Sequence, residues 1–234
     1  MSKEIERLES MLKDNKISPD EYKILLDAIE KKSSRMNAIF LLLVNPFQKI
    51  AGLYSLVIGS IVILAMSYFG VIAKIYFNGL LGVLNSSIFK NPGIPPTFSL
   101  LLYQNVVAVL VLAILYIISA KLCQQKRLRI IDFFGTVALS RIPFLMLTLF
   151  LSIIQIINPS IMELDLTKGT YFQPSLPMIL FMLPVLAFGI WQIVTYFYAL
   201  KESSGLSGKK LWISFISSFL IGEMIASVLT NIFF

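Results

Sequence analysis

The chain contains no histidine and a single cysteine, Cys123, among 234 residues. Without histidine there is no Ser–His or Cys–His nucleophile pair, no HExxH motif and no Cys/His zinc motif. A lone cysteine excludes an intrachain disulfide and gives no sign of an oxidising compartment. Charge is equally sparse: 14% of residues are charged, 57% are hydrophobic, and the mean hydropathy is +0.81. A soluble domain of this size does not need so apolar a composition, whereas a bundle of membrane-spanning helices does. The net charge of +7 lies beside the apolar runs, as in cytoplasmic loops, so nucleic-acid binding is not expected. No catalytic, metal-ligating or cofactor-binding constellation emerges. Gly205-Leu206-Ser207-Gly208 superficially matches a GxSG protease motif, but in a Lys-rich loop with no histidine it reads as a turn and cap.

What is present is a set of long apolar runs. Five spans are expected at about 50–73, 98–120, 131–157, 176–200 and 211–234, each long enough to cross a ~30 Å hydrocarbon core. Met36–Phe47, about a dozen residues long and interrupted by Asn45-Pro46, suits an interfacial helix, or the run-up to the first span, better than a crossing. Lys74–Pro96 is expected to be a connection, amphipathic over Ile75–Leu84 and closed by the turn Asn91-Pro92-Gly93-Ile94-Pro95-Pro96. Pro184 and Gly189 are expected kink points in the fourth span. Residues 121–130 hold four Lys/Arg and no acid and 201–210 hold three, against two in 74–97 and one in 158–175. The positive-inside rule then puts the N-terminus inside and the C-terminus outside. The sequon Asn85-Ser86-Ser87 falls outside and carries no meaning in a bacterial protein.

Residues 1–35 read as a separate cytoplasmic helical hairpin. Met1–Arg35 is charged and not a cleavable signal, so the first apolar helix directs insertion. Ile5, Leu8, Met11 and Leu12, then Tyr22, Leu25, Leu26 and Ile29, recur at helical spacing. Ser18-Pro19-Asp20-Glu21 supplies a cap, an N1 proline and a capping box. Such short helices need to pack on each other, on a protein partner or on the membrane.

The polar residues inside the spans carry the functional question. Arg141, two residues before Pro143, lies roughly 15 Å from the start of the third span, near the midplane. A guanidinium there costs at least ~2.5 kcal/mol on insertion scales and should face protein or water with a partner. Asp132 falls on the opposite helix face near the interface. Glu223, roughly 18 Å into the fifth span and running in the same direction, is the better candidate. Gln192, Ser227 and Thr230 are placed to add hydrogen bonds. Three arrangements stay open: a buried ion pair fixing helix register, a hydrated cavity for a proton, an anion or a lipid headgroup, or charges that never meet. Ser214, Ser218, Gly222 and Ala226 form a small-residue stripe, read first as an intramolecular seam and second as an oligomer contact. Ser55 and Gly59 invite a close neighbour in the first span. Gln104-Asn105 and Gln155 read as interfacial or packed, and Cys123 as a plain thiol before an acylation site.

From Asn45 onward the order of features resembles the Yip1 family of five-span membrane proteins. The resemblance rests on Asn45-Pro46-Phe47, on Phe133-Phe134-Gly135-Thr136-Val137-Ala138-Leu139-Ser140-Arg141-Ile142-Pro143, on Ile190-Trp191, and on Ala199-Leu200-Lys201, Gly205-Leu206-Ser207 and Lys209-Lys210. It implies a five-helix bundle, N-inside and C-outside, over residues 36–234. The DLYGP motif of eukaryotic members, which bind Rab GTPases, is absent, so the chain looks more like a bacterial member of the cytoplasmic membrane, with ER/Golgi membranes as the alternative. Lys16–Ile29 (KISPDEYKILLDAI) resembles the SHOCT-like helical modules of bacterial membrane proteins. The resemblance implies a non-enzymatic scaffold or regulator of membrane organisation or trafficking; the alternative is a small transporter, channel or lipid-moving protein using Arg141 and Glu223.

Overall fold

Apolar helices form where every backbone group must be satisfied within its own segment, and the described residues of the spans follow that rule apart from two local breaks. The computed structural model describes residues 10–13, 21–22, 24–25, 43–82, 95–125, 128–157 and 176–231, with backbone only at 176–182. The chain divides into two compact units, Met1–Pro46 and Phe47–Phe234. In the first, residues 10–13, 21–22 and 24–25 are helical; the rest of the hairpin expected at 1–35 lies outside the described residues. The sequon and the whole 158–175 connection lie outside them too.

Among its described residues the second unit has helices and no strands: α1 (Gly52–Ala73), α2 (Phe98–Leu122), α3 (Ile130–Leu139), α4 (Ile142–Ile157), α5 (Leu176–Ser204) and α6 (Gly208–Asn231). These give five helical spans long and apolar enough to cross a membrane, with α3 and α4 forming one of them. This is the architecture of an integral membrane protein. Large apolar side chains point outward from the spans, among them Tyr54, Ile61, Ile114, Ile153, Ile190, Trp212, Met224 and Val228. In a bilayer they meet lipid.

Helix directions follow from the contacts. A Cβ on Gly59 would lie 2.6 Å from Ala138 Cβ, one on Gly135 would lie 2.9 Å from Gly52 O, and Ser152 Oγ donates to Phe69 O (2.8 Å). α1 therefore runs parallel to α3–α4, and Gly59 and Gly135 let the backbones meet. Ser55 is fully buried in this seam, so the small pair in the first span does invite its neighbour. Along α2 and α6, Cys123 meets Ser214 (3.4 Å), Ser218 Oγ donates to Leu115 O (3.4 Å) and Tyr103 Oη donates to Leu229 O (3.1 Å). These two are antiparallel. The third span is the most central, with 61% of its most apolar window buried against 33–44% in the others.

Two breaks depart from plain crossings. The third span is not one helix: Ser140 and Arg141 form a turn between α3 and α4. Pro143 has no N–H for the carbonyl four residues earlier, so the ladder cannot run through this point. α5, by contrast, continues through Pro184.

The second break ends α1. Lys74 adopts the left-handed conformation (φ 55°), its N–H bonds Val71 O (3.2 Å), and the Ile75 N–H bonds Gly70 O (3.1 Å). This is a Schellman motif, and it stops the helix. The chain then turns back into the bundle: residues 75–80 and 82 are non-helical and buried. The amphipathic connection expected over Ile75–Leu84 is thus, as far as Gly82, an inserted segment packed among the helices. Phe77 and Leu80 are 0% exposed.

Candidate functional site

Non-helical backbone at this depth needs partners from the surrounding protein, since neither water nor its own ladder supplies them. The inserted segment finds them one residue at a time. The Phe77 N–H donates to Gln104 Oε1 (2.9 Å), and Gln104 Nε2 in turn donates to Asn78 Oδ1 (3.2 Å). The Gly79 N–H donates to Thr230 Oγ1 (3.2 Å). Glu223 Oε2 accepts from the N–H groups of both Leu80 (2.7 Å) and Leu81 (3.0 Å). Ser227 Oγ, one helical turn further on, donates to Glu223 Oε1 (3.4 Å). The Leu80 carbonyl accepts from Arg141 Nη1 (3.4 Å) and from Tyr196 Oη (3.1 Å).

Arg141 and Glu223 are therefore brought to a single residue, and these hydrogen bonds run to its backbone rather than to each other. The carboxylate takes the N–H side of Leu80, the guanidinium its carbonyl. Arg141 is 0% exposed. Its guanidinium carbon stands 6.0 Å from the Phe144 ring centre and 5.8 Å from that of Tyr196, within cation–π range of both. The Nε–H and Nη2–H groups, the two donors along one edge of the guanidinium, meet no hydrogen-bond partner among the described residues.

Gln192 supports the site from behind. Its Nε2 donates to Ser140 O (2.8 Å), which also accepts from Thr195 Oγ1 (3.1 Å). Side chains of α5 thereby satisfy a carbonyl at the α3–α4 break and hold the turn that aims Arg141. The Oε1 atom of Gln192 is buried and meets no hydrogen-bond partner among the described residues. Glycine completes the fit. Gly79 sits at φ +75°, and a Cβ there would fall 2.5 Å from Glu223 Oε1 and 2.8 Å from Ser227 Oγ. The carboxylate reaches the backbone because residue 79 has no side chain.

The stripe Ser214, Ser218, Gly222 and Ala226 lies on the buried face of α6, together with Leu211 and Thr230. A Cβ on Gly222 would approach Leu80 Cδ1 to 3.0 Å and Leu115 Cδ1 to 3.2 Å. The stripe is an intramolecular seam against α2 and the inserted segment. Gln104 and Asn105 are fully buried, with Asn105 Nδ2 donating to Ser67 Oγ (3.2 Å) and Leu101 O (3.0 Å). Leu80, Gly79 and Tyr196 belong to the site and were not anticipated from the sequence; Gln104, read there as interfacial or packed, is packed and braces the inserted segment. No group of three or more His, Cys, Asp or Glu able to hold a metal ion occurs among the described residues. Comparison of the chain with family models, with curated proteins and with solved structures yields no match.

Proposed function

We propose that the chain is a non-enzymatic integral membrane protein of the Yip1 type, acting as a scaffold or regulator of membrane organisation. Its N-terminal unit lies on the cytoplasmic side, where residues 1–35 contact a protein partner or the membrane surface. The charge asymmetry of the loops supports that orientation, and a bacterial cytoplasmic membrane fits it best. The observation that carries this reading is the use made of the two intramembrane charges. Arg141 and Glu223 hold the chain's own backbone at Leu80, as a closed bundle requires. Thiol labelling in intact membranes tests it. In a Cys123→Ser background, single cysteines at Ser140 and Ser227 are protected from a small water-soluble reagent, while a control at Ser207 reacts. Fast labelling at both positions, Ser140 buried and Ser227 half-buried, means a hydrated conduit and replaces this reading by a transport one.

A second reading has its own observation. The bidentate edge of Arg141 has no partner among the described residues although the residue is 0% exposed. A buried polar group left this way is costly and marks a place where a ligand gains. On this reading the bundle binds a small polar ligand or lipid headgroup at mid-depth.

A further inference from the structure

We infer that the Gly79–Leu81 segment is a displaceable plug, and that the socket it fills binds a zwitterion: an anionic group on Arg141 and an ammonium group on Glu223. This inference rests on the second reading above and specifies its ligand.

The plug reveals the socket's chemistry. Toward the guanidinium it presents an acceptor, Leu80 O; toward α6 it presents the N–H donors of Gly79, Leu80 and Leu81. Leu80 O and the N–H groups of Leu80 and Leu81 are dipoles held against full charges, so a ligand with full opposite charges gains more in each place in a low-dielectric interior. Charge balance then selects the ligand class. Arg141 and Glu223 together are neutral. A lone anion leaves the socket at minus one and a lone cation leaves it at plus one, both costly at this depth. A zwitterion leaves it neutral. The Nε–H and Nη2–H edge of Arg141 is the fork that receives a carboxylate or phosphate in two parallel hydrogen bonds.

The plug is built to leave. Its bond to Arg141 is long, at 3.4 Å, and takes only Nη1. Positive φ angles flank Leu80 at Gly79 (+75°) and Gly82 (+24°), and Lys74 at the root is also left-handed. No regular ladder anchors the segment; side chains of other helices do. The bilayer side of the socket is less sealed than the Arg141 side: Glu223 is half-buried, whereas Arg141 is 0% exposed. The ligand chemistry is that of a phosphoethanolamine group, which reaches the socket as a lipid headgroup or as a free molecule.

Equilibrium binding of radiolabelled dihexanoyl-phosphatidylethanolamine to the full chain purified in detergent tests the inference. Saturable binding of one molecule per chain is expected, weakened about tenfold or more by Arg141→Gln and by Glu223→Gln. Gln104→Met removes a brace of the plug without touching either charge and is expected to tighten binding several-fold by raising the open fraction. A misfolded variant cannot bind more tightly, so this arm stands even if the charge variants fail to fold. Glycerophosphoethanolamine binding as well as the lipid identifies a free zwitterion as the source; its failure identifies the bilayer. Equal binding of dihexanoyl-phosphatidylglycerol that needs Arg141 but not Glu223 overturns the zwitterion while leaving a mid-depth ligand site in place. Absence of saturable binding to wild type and to Gln104→Met overturns both.

Discussion

Gly79→Ala tests the geometry of the inserted segment most sharply. At φ +75°, any L side chain costs about 1–2 kcal/mol in backbone strain. The new methyl also falls 2.5 Å from Glu223 Oε1, 2.9 Å from its Cδ and 2.8 Å from Ser227 Oγ. The carboxylate has to withdraw, stretching its 2.7 and 3.0 Å bonds to Leu80 and Leu81, each of a kind worth roughly 1.5–3 kcal/mol. Total destabilisation of about 3–5 kcal/mol is expected. Gly205→Ala is the matched control, since Gly205 has φ +67° but no atom within 4 Å of an added Cβ. It should cost only the backbone term of about 1–2 kcal/mol. Reversible unfolding in mixed micelles with rising SDS, followed by far-UV circular dichroism, reads the difference. A Glu223→Ala background should erase most of the excess, because the two substitutions share one contact. Equal losses for Gly79→Ala and Gly205→Ala would refute the placement of Glu223 beneath residue 79.

Other substitutions probe the frame around the site. Gly59→Ala puts a methyl 2.6 Å from Ala138 Cβ and 2.7 Å from Leu139 N, so it should cost about 2–3 kcal/mol in the same assay by prising α1 from α3. Ala138→Gly should rescue it only in part, because the backbone contact at Leu139 persists. Tyr196→Phe removes one of two donors to Leu80 O and should cost about 1 kcal/mol; a loss above about 3 kcal/mol would mean that Arg141 does not hold the same carbonyl.

Much of the frame was legible because membrane physics writes it into composition. The five spans follow from run length, and Arg141 and Glu223 stand out because charge is scarce at such depth. The small residues of α1 and α6 announce close packing through their size and spacing. The inserted segment announces nothing of the kind. Ile75-Tyr76-Phe77-Asn78-Gly79-Leu80 reads as a loop, since neither hydropathy nor periodicity separates a loop on the surface from one inside a bundle. The groups it offers to Arg141 and Glu223 are a backbone carbonyl and backbone N–H groups, which every such loop possesses, so a search for charged side-chain partners passes over them. Gly79 is the one local signal, and its meaning depends on Glu223, 144 positions away in sequence. The break in the third span was half legible: Pro143 marks the place, but the donors that stabilise an open turn there, Gln192 and Thr195, come from another helix.

The central claim is that residues 75–82 enter the bundle and are held there at Leu80. Its most direct test is a cysteine scan of that segment in intact membranes, in the Cys123→Ser background, with a membrane-impermeant thiol reagent. Lys74→Cys, at the exposed turn that ends α1, should label readily, while Ile75→Cys through Leu80→Cys should be protected until the protein is unfolded. Labelling of Leu80→Cys as fast as Lys74→Cys would place the segment outside the bundle and leave Arg141 and Glu223 without the partner assigned to them.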